Sequence, residues 1–167
     1  MECRTYNRVL IPLDGSELAE QALAYLEKLS NGATLVILLR VVEPPITLYA
    51  SGGSATRTAK EMLKWAKVEA TRYLREVAQH LEQQGLKVKT VVTVGYVEES
   101  ITKYAANNDV GLIVMSTHGG SGHSQWLHGS VTEKLVRHSR VPVLVFPPVP
   151  GVNRRLHNSE TKGRSTK

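Results

Sequence analysis

Apolar residues are grouped into five short runs, each of the length of a β-strand and rich in Val, Leu and Ile. The runs are Arg8 to Asp14, Thr34 to Val42, Val88 to Val94, Val110 to Met115 and Val141 to Phe146. Polar residues do not alternate with apolar ones inside most of these runs. Such near-continuous apolar runs are typical of strands that are buried on both faces, as in a parallel sheet.

Between the runs, apolar residues recur with the roughly 3.6-residue period of an amphipathic helix. The helical stretches are Glu17 to Leu29, Thr58 to Gln84, Val97 to Ala106 and Ser130 to His138. In the first stretch, Leu18, Ala22 and Leu26 lie on one face. Because strands and helices alternate along the chain, the pattern predicts an α/β fold. We expect one open, doubly wound parallel sheet with helices on both faces.

Length and composition are those of one soluble globular domain: 167 residues, 41% apolar and 22% charged. We expect the domain to span residues 1–150, and residues 151–167 to form a disordered basic tail because they contain almost no apolar residues. No apolar run approaches the length of a membrane span, and no signal-peptide core is visible. We therefore expect a cytoplasmic protein without membrane contact. The single cysteine, Cys3, excludes an intramolecular disulfide framework.

The formal charge of +6 is concentrated in the tail. Residues 151–167 contain five basic residues and one acidic residue, a net +4, which leaves +2 for the rest of the chain. The domain has no basic stripe interleaved with aromatic residues. The charge therefore does not indicate specific binding of nucleic acid.

The most informative candidate chemistry follows the fourth apolar run. The predicted strand ends at Met115, a loop rich in glycine and serine begins at Ser116, and a helical pattern resumes at Ser130. Backbone N–H groups that glycine leaves accessible, together with the positive end of a helix dipole, bind phosphate well. The stretch therefore predicts a phosphate-binding loop between a strand and a helix.

A carboxylate follows the first apolar run, in the sequence Asp14-Gly15-Ser16. In open parallel sheets, ligands bind beyond the carboxyl ends of the strands, where the direction of winding reverses. If the first and fourth strands are neighbours, Asp14 and the glycine-rich loop line one crevice. Asp14 would then accept hydrogen bonds from ribose hydroxyls while the loop holds phosphates.

Each of these motifs also has a simpler interpretation. Ser130 opens a capping-box pattern, and Asp14-Gly15-Ser16 fits an ordinary turn that leads into a helix N-cap. His118, His123 and His128 are candidate metal ligands or general bases, but their spacing matches no common zinc site. We predict no metal site among them, and His118 is either a phosphate contact or a surface histidine. The two capping interpretations stay open at this point.

Taken together, these residues resemble the universal stress protein family and its Gly-x-x-Gly-x9-Gly-Ser/Thr nucleotide motif. The motif reads Ser116-Thr117-His118-Gly119, nine further residues and then Gly129-Ser130, so that serine replaces the first glycine. The opening Val9 to Ser16, the strand ending Leu39-Arg40-Val41 and the closing Val141 to Val145 also match the family pattern. The resemblance extends from residue 7 to residue 147.

The resemblance implies strand order 3-2-1-4-5, a homodimer that pairs the last strands (Val141 to Phe146) of two subunits, and bound ATP, with Mg²⁺ or Mn²⁺ as an accompanying ion. It implies nucleotide contacts at Pro12, Leu13, Asp14, Val41, Met115, Ser116, His118, Gly119, Gly129, Ser130 and Val131. Asp14 would bind the ribose, the backbone of Val41 would meet adenine, and Gly129 to Val131 would bind the outer phosphates.

The sequence lacks the machinery expected of an efficient phosphoryl-transfer enzyme. It contains no Gly-x4-Gly-Lys-Ser/Thr loop, and no Gly-x-Gly-x-x-Gly follows the first strand. We therefore assign no catalytic residue. We expect an ATP-binding homodimer that acts in the stress response or in signalling through unidentified protein partners. A slow ATPase or autophosphorylating enzyme, and a dimeric scaffold that binds no nucleotide, are the alternatives, and Ser116 favours the scaffold.

Overall fold

The computed structural model describes residues 6–29, 33–45, 57–116 and 131–146. Its strands are β1 (Arg8–Pro12), β2 (Leu35–Val42), β3 (Lys87–Val94), β4 (Leu112–Ser116) and β5 (Val143–Phe146). Its helices are α1 (Glu17–Glu20), a 3₁₀ helix (Gln21–Tyr25), α2 (Leu26–Leu29), α3 (Arg57–Gln83), α4 (Val97–Asn107) and α5 (Val131–His138). Each apolar run therefore contains a strand, as predicted. The proposed tail, residues 151–167, lies outside the described residues.

The strands form one parallel sheet in the order β3-β2-β1-β4-β5. The central strand is β1, in which Leu10 pairs with Ile37 of β2 on one side and with Ile113 of β4 on the other. The order expected from the resemblance is confirmed. The chain winds in one direction from β1 to β3 and in the other from β4 to β5, so the direction of winding reverses between β1 and β4.

Two apolar clusters cover the two faces of the sheet, as the alternating pattern of helices and strands predicts. The first cluster contains Val9, Ile11, Val36 and Leu38 of the sheet and Leu74, Val77, Ala78 and Leu81 of α3. The second contains Leu10, Ile37, Leu39 and Ile113 of the sheet, Ile101 and Ala105 of α4, and Leu135 of α5. Burial on both sides explains why the central strands β1 and β4 are almost wholly apolar.

The first helical stretch differs from the single helix predicted for Glu17 to Leu29. It consists of two short α-helices joined by the 3₁₀ helix. At the junction, the N–H of Gln21 reaches back to the carbonyl of Leu18, which is the tighter 3₁₀ pattern. Ala22, Leu23 and Leu26 are nevertheless buried, so the predicted apolar face is retained.

Strand β5 also begins later than predicted, at Val143 instead of Val141. Val141 lies in a turn, where its N–H and its carbonyl both bond to the hydroxyl of Ser139, at 3.1 and 2.8 Å. Pro142 then separates this turn from the strand. Because proline has no N–H, it is a natural boundary for the start of a strand.

Helix α3 is much longer than the strand that follows it. Its 27 residues span about 40 Å, whereas the eight residues of β3 span about 26 Å. In the first half of α3, Met62, Trp65 and Val68 are exposed. In the described part of the chain, no helix, α3 included, combines the length and the apolar character that a membrane span requires.

Candidate functional site

The crevice expected from the sequence would lie at the carboxyl edge of the sheet, between β1 and β4. Val9 pairs with Leu112 and Leu10 pairs with Ile113, so the two strands run side by side. Continuing this register brings Leu13 level with Ser116. The condition for a shared crevice, that the first and fourth strands are neighbours, is therefore met, and a crevice between them would lie where the direction of winding reverses.

Asp14 lies at this edge in a tight turn. Its Oδ1 accepts hydrogen bonds from the N–H of Ser16 at 2.9 Å and from the hydroxyl of Ser16 at 2.5 Å. Gly15 makes the turn possible because its φ of +83° lies in the left-handed region. Ser16 also caps α1, since its Oγ accepts the N–H of Ala19 at 3.1 Å. The capping interpretation is therefore correct for Ser16, while the carboxylate of Asp14 is exposed and open to a ligand.

Strand β2 lies beside β1 and forms the next part of the carboxyl edge. Val41 lies close to its end and packs against the second core cluster. The carbonyl of Leu39 accepts the N–H of Leu13 at 2.9 Å, and Nη1 of Arg40 donates to the carbonyl of Leu13 at 3.3 Å. No role for Arg40 was predicted from the sequence alone. The available signal was a charged residue within an otherwise apolar strand.

Strand β4 ends in residues that are buried next to the start of α5. Met115 and Ser116 are both buried, and Ser116 is only 5% exposed. The hydroxyl of Thr132 donates to the carbonyl of Ser116 at 3.3 Å, which ties the first turn of α5 to the end of β4. Val131 is half-buried against the second core cluster. The carboxyl end of β4 and the start of α5 thus meet, as the strand-loop-helix interpretation requires.

The structure tests only part of the predicted site. Pro12, Leu13, Asp14, Val41, Met115, Ser116 and Val131 are described, and all of them lie at the ends of β1, β2 and β4 or at the start of α5. His118, Gly119, Gly129 and Ser130 lie outside the described residues, and so does the capping role considered for Ser130. Helix α5 begins at Val131, directly after the Gly129-Ser130 pair.

A second polar group lies beside Asp14 at the same edge. The hydroxyl of Tyr73, from α3, donates to Oε1 of Glu20 at 2.8 Å. Burial raises the pKa of Tyr73 well above its ordinary value, and the negative charges of Glu20 and Asp14 add to this effect, while the positive charge of Arg40 opposes it. Tyr73 therefore remains a protonated donor. We call Asp14, Glu20, Arg40 and Tyr73 the edge cluster.

The fold and the crevice define an open, doubly wound α/β protein with a polar site at the point where its winding reverses. The model of the universal stress protein family matches residues 5–147. The chain therefore belongs to the universal stress protein family. Universal stress protein MJ0577 of Methanocaldococcus jannaschii is 33% identical to it over 152 residues, which cover 84% of this chain and 94% of that protein.

Solved structures agree with this assignment. The structure of MJ0577 matches with a TM-score of 0.75 at 32% identity and covers 87% of this chain and 99% of that chain. A universal stress protein in complex with cAMP matches at 0.56 with 20% identity, over 87% of this chain and 99% of that one. An Arabidopsis thaliana family member with AMP bound matches at 0.63 with 16% identity, over 86% and 93%. At these two lower identities, the likeness shows the fold.

Proposed function

We propose that this protein binds an adenine nucleotide, ATP, in the crevice between the ends of β1 and β4. The observation that carries the proposal is the meeting of three features at one edge. These are the exposed carboxylate of Asp14, the end of β4 at Ser116 and the start of α5 at Val131. A carboxylate is suited to ribose hydroxyls, and a helix N-terminus is suited to phosphate.

Different residues of the proposed crevice would contact the ribose, the adenine and the phosphates of ATP. Asp14 would accept hydrogen bonds from the ribose, and the backbone at Val41 would border adenine. The loop after β4 and the N–H groups at the start of α5 would hold the phosphates, with Mg²⁺ or Mn²⁺ as an ion carried by the nucleotide. The predicted contacts at His118, Gly119, Gly129 and Ser130 belong to this proposal.

Two proteins of the same fold support the choice of ligand class. One was solved in complex with cAMP and the other with AMP bound. Both ligands share the adenosine moiety that Asp14 and Val41 would recognise here. The extension from adenosine monophosphates to ATP rests on the glycine-rich loop and on the helix that follows it.

We propose a binding function without efficient phosphoryl transfer. The chain has no Gly-x4-Gly-Lys-Ser/Thr loop, and so it lacks the lysine with which P-loop proteins neutralise the transferring phosphate. The nucleotide would act as a signal that a cytoplasmic homodimer reports to protein partners. A slow ATPase and a nucleotide-free scaffold are the competing outcomes of the test.

The proposal is tested by titrating nucleotide-free protein with ATP in a calorimeter. Asp14→Asn retains an oxygen for the turn with Ser16 but removes the charge, so ATP affinity should fall about tenfold, since hydrogen bonds to charged groups are stronger than neutral ones. Affinity for inorganic tripolyphosphate should not fall, because that ligand has no ribose.

The matched control is Asp109→Asn, which removes an exposed carboxylate at the amino ends of β1 and β4, away from the proposed crevice. Asn tolerates the positive φ of 50° found at this position. This variant should bind ATP as the wild type does. Wild-type protein that binds no ATP would contradict the proposal and favour the scaffold, and ATP turnover well above the uncatalysed rate would favour the enzyme.

A further inference from the structure

We propose that Arg40 is a positioning residue that presents Asp14 to the ribose. The inference rests on the proposed function and extends it to a side chain that does not itself need to touch the nucleotide. Arg40 comes from β2, whereas Asp14 follows β1, so the effect would pass through the backbone that joins β1 to its turn.

The geometry at the end of β1 shows how Arg40 acts. β1 ends at Pro12, and Leu13 is the first residue beyond it. Both backbone groups of Leu13 are nevertheless bonded to β2. Its N–H donates to the carbonyl of Leu39 at 2.9 Å, and its carbonyl accepts from Nη1 of Arg40 at 3.3 Å. The guanidinium thus takes the place of a strand partner at the point where β1 leaves the sheet.

A bond to this carbonyl matters because Leu13 is buried, with only 3% of its surface exposed. A buried carbonyl without a partner is costly, and a cationic donor forms a stronger bond than a neutral one. Arginine is suited to the task because its long, rigid fork reaches a neighbouring strand while it remains charged. An apolar side chain at position 40 could fill the same space but could not donate a hydrogen bond to the carbonyl of Leu13.

The carbonyl of Leu13 lies in the same planar peptide unit as the N–H of Asp14. Holding that plane sets the direction in which Asp14 leaves the sheet. On the other side, the two bonds from Ser16 to Oδ1 fix the carboxylate itself. Asp14 is therefore restrained from both sides before any ligand arrives. A pre-organised group loses less conformational freedom on binding, and this raises affinity.

Arg40 belongs to the edge cluster by its position near Tyr73. It is half-buried and lies near the hydroxyl of Tyr73, which donates to Glu20 at 2.8 Å. Tyr73 belongs to the same cluster but donates to Glu20 instead of to the Leu13 carbonyl. It therefore offers a control for general loosening of this edge.

The experiment compares ATP with inorganic tripolyphosphate by calorimetry for the wild type, Arg40→Met and Arg40→Lys. Methionine retains an apolar stem without a donor, whereas lysine keeps the charge and a donor. We expect Arg40→Met to weaken ATP binding about tenfold and tripolyphosphate binding less than twofold. Arg40→Lys should recover part of the ATP affinity. Tyr73→Phe should lower the melting temperature and leave the ratio of the two affinities unchanged.

Other results would overturn the inference in distinguishable ways. If Arg40→Met lowers the affinities for ATP and tripolyphosphate equally, Arg40 would instead be a cation that binds phosphate directly. A lower melting temperature with unchanged ATP affinity would make it purely structural. If Tyr73→Phe lowers the ratio of ATP affinity to tripolyphosphate affinity as much as Arg40→Met does, the cause would be a general loosening of this edge, and the inference would be wrong. If Arg40→Met does not fold, Arg40→Lys provides the test: a partial loss of ATP affinity with tripolyphosphate affinity retained would support the inference, and full ATP affinity would contradict it. Wild-type protein that binds no ATP would remove the proposed function and this inference together.

Discussion

Ser116 shows how a single residue can depart from a motif without distorting the backbone. In the nucleotide motif that the sequence resembles, a glycine stands at this position, and glycine is needed where φ is positive or where a side chain would clash. Within the described residues, Asp109 is the one non-glycine residue with a positive φ. Ser116 therefore does not require the freedom of glycine. The Ser116 side chain is accommodated within the packing at the end of β4, where only 5% of the residue is exposed.

Tyr73 provides a pH-dependent prediction at the same scale. Its pKa is raised in the folded protein, chiefly by burial, above the ordinary value of 10.0. The unfolded chain therefore loses the Tyr73 proton at a lower pH than the folded protein does. The stability that this proton provides is fully present below pH 10 and decreases as pH rises above it.

Tyr73→Phe should lower the free energy of unfolding by about 1–2 kcal/mol at pH 8, because it removes a hydrogen bond to a carboxylate. Between pH 9 and pH 11 the wild type should lose stability more steeply than the variant, so the difference between them should narrow. Denaturant titrations at several pH values measure this. A constant difference across that range would contradict the pKa shift.

At the scale of the elements, α3 presents two very different faces. Leu74 is 0% exposed and packs in the first core cluster, whereas Trp65, which lies nine residues earlier, is 68% exposed. Leu74→Ala should cost about 2–5 kcal/mol, because it removes buried apolar atoms and leaves a cavity. Trp65→Gln should change stability by less than about 0.5 kcal/mol.

Chemical denaturation of the two α3 variants measures both effects on one helix. Their contrast separates the contribution of packing from that of helix propensity. A large loss of stability in Trp65→Gln would show that Trp65 is covered by another part of the protein or by a second copy. Near-equal small effects would contradict the packing of α3 on the sheet.

The elements also show how far the sequence determines the fold. α3 was predicted as Thr58 to Gln84 and is observed as Arg57–Gln83, because a long amphipathic period fixes a helix almost by itself. The contribution of Asp14 to the edge was also predictable, since the turn chemistry of Asp14-Gly15-Ser16 is local. The bond from Arg40 to Leu13 and the bond from Tyr73 to Glu20 were not. They join residues 27 and 53 positions apart, and only the packed sheet brings them together.

At the scale of the whole molecule, the two edges of the sheet differ in chemistry. One edge is β3, which begins with the exposed residues Lys87 and Lys89. The other is β5, whose sequence Val-Leu-Val-Phe carries no charge and is only partly buried. Lysines on an edge strand oppose pairing with another sheet, whereas an apolar edge promotes it. This asymmetry supports the proposal that β5 pairs with its copy in a homodimer.

A twofold interface brings the same strand of both subunits together, so one lysine on β5 introduces two like charges into a small area. Val145→Lys should therefore shift the protein from dimer to monomer in sedimentation velocity at micromolar concentration. Because Val145 also packs against the second core cluster, circular dichroism must show that the variant is folded. Thr90→Lys, which adds the same charge to the β3 edge, should leave the dimer intact. A monomeric wild type, or dissociation by Thr90→Lys but not by Val145→Lys, would contradict pairing through β5.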